Sequence, residues 1–465
     1  MYLCLTQKHK AMNYYTRQID SHLLEWKNDP DHKPLLLRGA RQVGKSTAIR
    51  NLGSTFRYFV EVNFESERDV QTFFQGSTKA SEIADMLSIY FKTEIIPGET
   101  LLFFDEIQAC PEAIHSLWFF CEQMRPLHVI AAGSLLEFAL KDMPSFGVGR
   151  ISSLFIYPMS FDEFLSATGN AKLLELKSKC NADQPLPDTF HKKLAEMFKT
   201  FILVGGMPAA VNEYVKTGKI AGCSRIIADI VQTYNDDFAK YSKLAPPTLL
   251  RQVLLSAASQ LGGKFVFNKV DGLDRTENVK LALQLLVDAG LLIPTTHTAA
   301  HGIPLGAEVN HKFVKYLMLD SAIALAMLGI DDASASNVKD ILIANNIDLV
   351  DKGSMTEMVA GLEILKYMNP RTRHSLYYWQ NLAKGTQSEI DYIIAKNGQI
   401  VPLEVKSGVK GSMASLHYFI RQRADSHSLG NPIRCSLENF GKITGGDRDI
   451  YIVPLFAMSN IFQAE

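Results

Sequence analysis

Short apolar runs alternate with amphipathic stretches through the first third of the chain. Helical patterns at 81–93 and 112–124 stand between several of these runs. This alternation predicts an α/β fold in which a parallel sheet carries helices on both faces. The runs predicted as strands are 34–38, 58–64, 101–104, 128–132 and 154–157.

The pattern changes after about residue 170. Long helical patterns dominate to about 330, and a polar stretch at 331–350 is typical of a boundary. A helix at 354–367 then precedes a β-rich end. We therefore predict three domains: an α/β core at 1–170, a helical region at 171–330 and an α+β domain at 351–465.

Composition excludes some partners and leaves others open. The 465 residues carry a formal charge of −1, so binding to nucleic acid or to an anionic membrane would need a local basic patch. No stretch of about 18 apolar residues occurs, from which we expect a cytoplasmic protein without a membrane partner. The six cysteines are scattered, which favours free thiols over a zinc site.

The segment GARQVGKS at 39–46 matches the P-loop pattern G-x-x-x-x-G-K-[ST] between an apolar strand and a helix. Its glycines let backbone N–H groups surround phosphates, and the helix N-terminus favours the same anion. Lys45 is expected to reach the β and γ phosphates, and Ser46 to bind Mg²⁺. The predicted cofactors are thus ATP and Mg²⁺, and the nucleotide ligands are Gly39, Gln42, Gly44, Lys45, Ser46 and Thr47.

An apolar strand pattern, LLFF, ends in Asp105 and Glu106. We interpret it as a Walker B strand in which Asp105 holds Mg²⁺ and Glu106 polarises the attacking water. The alternative is that two acids simply open a surface loop.

Two further side chains are candidates for the same site. Ser134 follows the next strand, at the carboxyl edge where α/β sheets bind ligands, and is either a γ-phosphate sensor or a turn residue. Arg150 is either an arginine finger for the ATP of a neighbouring subunit or an ordinary surface arginine. The finger role would make a homo-oligomer the working assembly.

These segments carry a family resemblance. GARQVGKST, LLFFDEIQACP, HVIAAGSLLEF, GVGR and YPMSFDEF occur in the order found in prokaryotic AAA-type P-loop ATPases with a C-terminal domain of unknown function. FILVGGMPAAV and KYLMLDSAIAL continue the similarity, so it covers nearly the whole chain. The resemblance implies an ATPase and leaves the cellular task open.

Residues 249–293 contain two amphipathic helical patterns and resemble a winged helix. In DNA-binding versions the second helix enters the major groove. Here that helix, at 276–288, has Lys280 as its only basic residue beside Glu277 and Asp288. DNA stays a candidate partner, and a lid or packing module for the ATPase is the alternative.

A β-hairpin is predicted around Asn397 and Gly398, because Asn-Gly is a strong two-residue turn signal. Counting from that turn places Asp391 opposite Glu404, and Lys406 shares their face. Two facing carboxylates destabilise a hairpin unless a cation lies between them.

This arrangement resembles the PD-(D/E)xK nuclease core, in which paired acids bind Mg²⁺ and the lysine helps to position water. The resemblance implies metal ligands at Asp391, Glu404 and, on the preceding helix, Glu357, with Lys406 as a second-site candidate. The plainer alternative is an exposed hairpin in which Glu389 pairs with Lys406. Domains of this fold either cleave DNA or only bind.

Three functions follow as hypotheses. The first is an ATPase in which hydrolysis drives or gates movement of the winged-helix-like and C-terminal regions, on DNA in one version. The second is a metal-dependent nuclease or nucleic-acid-binding module gated by nucleotide. The third is a signalling switch that holds ATP without turnover.

Overall fold

The computed structural model describes most of the chain, in two compact units, Met1–Ile156 and Tyr157–Glu465. The stretch 331–350, expected as a boundary, lies outside the described residues, and the three-domain division remains a prediction. The described residues are 14–76, 79–134, 136–141, 149–271, 275–329, 352–382, 388–408, 411–423, 428–444, 446 and 448–463.

The first unit is built on a parallel sheet of five strands in the order β2-β3-β4-β1-β5. Its strands are β1 (Leu35–Arg38), β2 (Tyr58–Asn63), β3 (Thr100–Asp105), β4 (His128–Ala132) and β5 (Ser152–Phe155). Its helices are α1 (Gln18–Asn28), α2 (Lys45–Gly53), α3 (Ala80–Phe91), α4 (Pro111–Gln123) and α5 (Leu136–Lys141), with 3-10 helices at Arg68–Phe74 and Ile107–Ala109.

The predicted parallel α/β sheet is confirmed. All five apolar runs are strands, and only the fifth is displaced, beginning at Ser152 instead of 154. Strands β3 and β4 are buried at every position, whereas β2, at the edge of the sheet, is only partly buried. Complete burial explains why the inner strands appear as unbroken apolar runs.

The register of this sheet brings polar residues together at its carboxyl edge. Strand β2 pairs with β3 so that Asn63 lies beside Asp105. Strand β1 leads directly into the loop before α2. Ligands of open α/β sheets bind at this edge. The candidate nucleotide-binding residues lie at the same edge of this sheet.

The second unit begins with a long helical region. Its helices are α6 (Phe161–Ala167), α7 (Ala171–Ser178), α8 (Asp188–Val204), α9 (Pro208–Thr217), α10 (Ile220–Asp237), α11 (Pro247–Ser259), α12 (Thr276–Asp288), α13 (Ser321–Met327), α14 (Lys352–Tyr367) and α15 (Ala414–Arg421). Short 3-10 helices lie at Phe238–Tyr241, Phe267–Lys269, Leu305–Glu308 and Leu455–Ile461. Among the described residues, no helix is both long and apolar enough to cross a bilayer.

An eight-stranded mixed sheet completes the second unit, in the order β12-β13-β11-β10-β9-β8-β6-β7. Strands β6 and β7 come from the region expected to be helical, and β6 pairs in parallel with β8. One sheet therefore spans the predicted boundary at 351. The strands are β6 (Leu292–Thr298), β7 (Val309–Met318), β8 (Leu376–Gln380), β9 (Glu389–Lys396), β10 (Gln399–Val405), β11 (Ile433–Ser436), β12 (Gly441–Ile443) and β13 (Ile450–Pro454).

The hairpin β9–β10 has the predicted register. Lys396 pairs with Gln399 and Tyr392 with Leu403, which makes Asp391 and Glu404 neighbours across the hairpin. Asn397 and Gly398 both have positive φ, 50° and 76°. A type I′ turn requires positive φ at both central residues. The two-residue hairpin turn predicted from Asn-Gly is therefore confirmed.

Candidate functional site

The loop between β1 and α2 has the backbone of a phosphate cradle. Its φ angles are +154° at Gly39, +65° at Gln42 and +100° at Gly44. A Cβ on Gly39 would overlap the carbonyl oxygen of Ile156, so only glycine fits there. Gln42 is exposed, and Thr47 lies half-buried in the first turn of α2.

Lys45 begins α2 and is buried, with 8% of its surface exposed. Its Nζ donates hydrogen bonds to the carbonyl oxygens of Gly39 and Ala40, both at 2.8 Å. Burial lowers the pKa of Lys45 to about 8, although Glu106 and Asp105 attract its charge. The ammonium is thus held at the loop, where incoming phosphate oxygens would replace carbonyl acceptors and favour its charged form.

Asp105 ends β3 and joins the loop to the sheet. Its Oδ1 accepts a hydrogen bond from Ser46 Oγ at 3.1 Å, and its Oδ2 accepts one from Asn63 Nδ2 at 3.3 Å. Burial and the neighbouring Glu106 raise the pKa of Asp105. A hydroxyl and a carboxylate side by side are hard oxygen donors of the kind that Mg²⁺ prefers, so this pair fits the ion.

Glu106 adopts a left-handed backbone, with φ at 49°. Its Oε2 accepts three hydrogen bonds: from Gln108 Nε2 at 2.7 Å, from the Ser134 backbone N–H at 3.1 Å and from Ser134 Oγ at 3.2 Å. A non-glycine residue with positive φ is strained, and such strain is common at functional sites. Ser134 therefore holds the Glu106 carboxylate, and its role as a γ-phosphate sensor stays a prediction.

Arg150 lies in the same unit but is engaged on α4. Its Nε donates to Glu122 Oε1 at 2.5 Å, and its guanidinium lies 5.5 Å from the centre of the Trp118 ring. All three side chains are exposed or nearly so. The finger role of Arg150 remains a prediction, and it would require the arginine to leave Glu122.

The sequence did not predict two residues that hydrogen-bond to the acids of this site. Asn63 and Gln108 are polar residues without a motif, and each acts through one hydrogen bond to an acid. Asn63 could have been found only from the β2–β3 register. Gln108 follows Glu106 by two residues, and no pattern distinguishes it from a solvated side chain.

A second group of polar residues lies in the C-terminal sheet. Asp391 Oδ2 accepts a hydrogen bond from the Val405 N–H at 2.6 Å, and Lys406 Nζ contacts Glu404 Oε1 at 2.5 Å. Burial and Asp391 raise the pKa of Glu404 to about 7. The alternative pairing of Glu389 with Lys406 is wrong, because Glu389 pairs with Lys315.

Three carboxylates form what we call the carboxylate cluster, Glu357, Glu389 and Asp391, with one oxygen from each within 4.8 Å of the others. Tyr392 donates from its hydroxyl to the Glu357 carbonyl at 2.8 Å and so fixes α14 against β9. Glu404, a predicted ligand, is not a member, and Glu389, which is one, was not predicted.

Lys315, on β7, reaches into the carboxylate cluster. Its Nζ lies 2.8 Å from Glu357 Oε1 and also contacts Glu389 Oε1. Lys315 begins the segment KYLMLDSAIAL, and no local pattern distinguishes it as a partner of acids more than forty residues away. The Lys315 ammonium thus lies against two of the three carboxylates that could hold a metal ion.

Models of known protein families match both the N-terminal and the C-terminal part of the chain. An AAA domain model matches 31–165, and two models of domains of unknown function match 195–334 (DUF8612) and 352–455 (DUF4143). No curated protein matches the chain.

Two solved structures are similar to parts of the chain. Unliganded Pif1 from Bacteroides sp is 12% identical over 39% of this chain and 52% of its own, with a TM-score of 0.22. Drosophila ORC bound to DNA is 13% identical over 67% of this chain and 85% of its own, with a TM-score of 0.25. The chain thus spans about half the length of the Pif1 structure.

Proposed function

Because this chain is a P-loop protein that combines an AAA domain at 31–165 with the domain DUF4143 at 352–455, we propose that it binds ATP with Mg²⁺ and hydrolyses it. One observation supports this proposal most strongly. Ser46 Oγ lies 3.1 Å from Asp105 Oδ1, next to Glu106, whose backbone has a positive φ. These are the parts that phosphoryl transfer from ATP to water requires.

Each residue has a defined task in this proposal. The loop N–H groups and Lys45 would bind the phosphates, and Ser46 and Asp105 would hold Mg²⁺, whose charge would offset the charge on the phosphate oxygens. Glu106 accepts a hydrogen bond from the attacking water and orients it. Gln42 and Thr47 lie in the same loop and first turn and complete the nucleotide ligands.

We further propose that the ATP cycle drives or gates movement of the second unit. Its helices α11 and α12 are followed by the antiparallel strands β6 and β7, an order that supports a winged-helix-like module. DNA is the candidate partner of this module, although Lys280 is the only basic residue of α12.

The first experiment compares Mg²⁺-dependent ATP hydrolysis by wild type, Lys45→Ala and Glu106→Gln, each with and without double-stranded DNA. We expect Lys45→Ala to lose binding and turnover, and Glu106→Gln to bind ATP but to lose turnover by roughly 100-fold or more. Glu112→Gln, an exposed acid at the start of α4, is the matched control and retains wild-type turnover.

Wild-type turnover no higher than that of Lys45→Ala would refute hydrolysis. Tight ATP binding by such a protein would support the switch that holds ATP without turnover. Turnover that is unchanged by DNA would remove DNA from the proposal and leave ATP hydrolysis intact.

A further inference from the structure

The carboxylate cluster concentrates negative charge inside the second unit. One carboxylate oxygen from each of Glu357, Glu389 and Asp391 lies within 4.8 Å of the others. Carboxylates this close together need a cation or protons to offset their repulsion. In nuclease sites of the kind that the sequence resembles, a divalent metal ion meets that need.

Lys315 meets it here from inside the protein. The residue is only 1% exposed, and its Nζ is bonded to two carboxylates while it lies 4.9 Å from the centre of the Tyr378 ring. Burial alone would lower the pKa of Lys315, but attraction to Glu357, Glu389 and Asp391 raises it above its ordinary value. Its ionic contacts with Glu357 and Glu389 thus hold the ammonium inside the cluster.

The position of this ammonium is incompatible with a metal ion. Mg²⁺ and Ca²⁺ bind carboxylate oxygens at about 2.0–2.6 Å, so an ion shared by the cluster would lie where Nζ contacts Glu357 and Glu389. Two cations at one place repel each other strongly when buried. Lysine and metal are alternatives.

We infer that Lys315 is a built-in replacement for a divalent metal ion, and that it makes the carboxylate cluster metal-free and unable to support metal-dependent cleavage. Lys315 also forms salt bridges from β7 to β9 and α14. These salt bridges connect the winged-helix-like module to the DUF4143 region. A variant without the ammonium would expose a latent site for Mg²⁺ or Mn²⁺.

The test measures Mn²⁺ binding by electron paramagnetic resonance and thermal unfolding of the full chain. All proteins carry Asp105→Asn, which removes the carboxylate at the end of β3 that is predicted to hold a divalent ion in the nucleotide site. In this background we compare four proteins: Lys315 intact, Asp391→Asn with Lys315 intact, Lys315→Met, and Lys315→Met with Asp391→Asn. Lys312→Met, an exposed lysine on the same strand, is the matched control.

We expect the chain with Lys315 to bind no Mn²⁺ at the cluster below about 1 mM. Lys315→Met should melt roughly 5 °C lower or more, recover at least half of that loss with Mn²⁺, and bind Mn²⁺ tightly. Adding Asp391→Asn should abolish the binding and the recovery, and Lys312→Met should behave like its parent.

Submillimolar Mn²⁺ binding by the chain with Lys315 that Asp391→Asn removes would overturn the inference. This measurement needs no Lys315 variant, so it decides the question even if Lys315→Met does not fold. A folded Lys315→Met that neither binds Mn²⁺ nor gains stability from it would equally overturn the latent site.

Discussion

At the scale of single residues, the nucleotide site depends on which groups hold its acids. Asp105 is held by Ser46 and Asn63, and Glu106 by Ser134 and Gln108. A catalytic base must be oriented as well as present, since proton transfer requires hydrogen-bond geometry. The partners of Glu106 are therefore expected to affect turnover more than binding.

Ser134→Ala tests this expectation. It removes the Oγ hydrogen bond to Glu106 and keeps the backbone one. Loss of one hydrogen bond of about 1 kcal/mol should lower kcat roughly 5-fold and leave the ATP dissociation constant unchanged. Steady-state kinetics and equilibrium binding check it, and a large loss of ATP affinity would instead support direct contact between Ser134 and phosphate.

His128 makes the folding stability of the first unit depend on pH. It begins β4, stacks on His32 with ring centres 3.9 Å apart, and donates from Nε2 to the Lys27 carbonyl. Burial lowers the pKa of His128 from 6.5 to about 4. The unfolded chain takes up this proton as pH falls below 6.5 but the folded protein does not, so stability is lost progressively toward pH 4.

We expect His128→Phe to flatten the decline in stability between pH 6.5 and 4, by no more than about 3 kcal/mol. Urea unfolding at several pH values measures it. His115→Phe, at an exposed position on α4, should keep the wild-type slope. An unchanged slope in His128→Phe would show that His128 does not govern acid sensitivity.

At the scale of elements, the hairpin β9–β10 sets the geometry of the C-terminal acids. Its turn determines the register, and the register determines that Asp391 and Glu404 are neighbours. A slip of one residue would move every side chain to the opposite face of the sheet. The Asn-Gly turn is thus responsible for placing Asp391 in the carboxylate cluster.

Gly398→Ala is expected to destabilise the second unit by about 1 kcal/mol, because alanine is strained at the φ of 76° found there. Asn397→Gly should be nearly neutral, since glycine accepts the φ of 50° at that position. Chemical denaturation compares the two variants. Equal stability of both with wild type would mean that the turn does not determine the register.

At the scale of the whole molecule, two compact units carry the two groups of acids. The predicted nucleotide ligands all lie in the first unit, and the carboxylate cluster lies in the second. Ligand binding stabilises the part of a protein that it orders. The response to ATP therefore reports how strongly the units depend on each other.

Calorimetric unfolding should show two transitions. ATP with Mg²⁺ at about 100 times its dissociation constant should stabilise the first unit by about 2.7 kcal/mol and raise only that transition. Lys45→Ala should abolish the shift. If both transitions rise together in wild type, the units unfold cooperatively and ATP binding reaches the C-terminal sheet.

Much of this protein could be predicted from local sequence. The P-loop, the Walker B acids, the parallel sheet and the register of the hairpin all follow from spacing within a few residues of one another. Periodicity and turn chemistry act over such distances, and the family resemblance added the order of the segments.

What the tertiary structure alone decided is which distant residues meet. Asn63 and Ser134 hydrogen-bond to the two acids at the end of β3 from other segments of the chain. Strands β6 and β7 belong to the C-terminal sheet, although the sequence placed them in the helical region. Lys315 contacts a cluster formed by α14 and β9. Such pairs lie tens of residues apart and leave no periodic trace. Their meeting depends on the balance of burial and charge in the folded chain, which local sequence patterns do not contain.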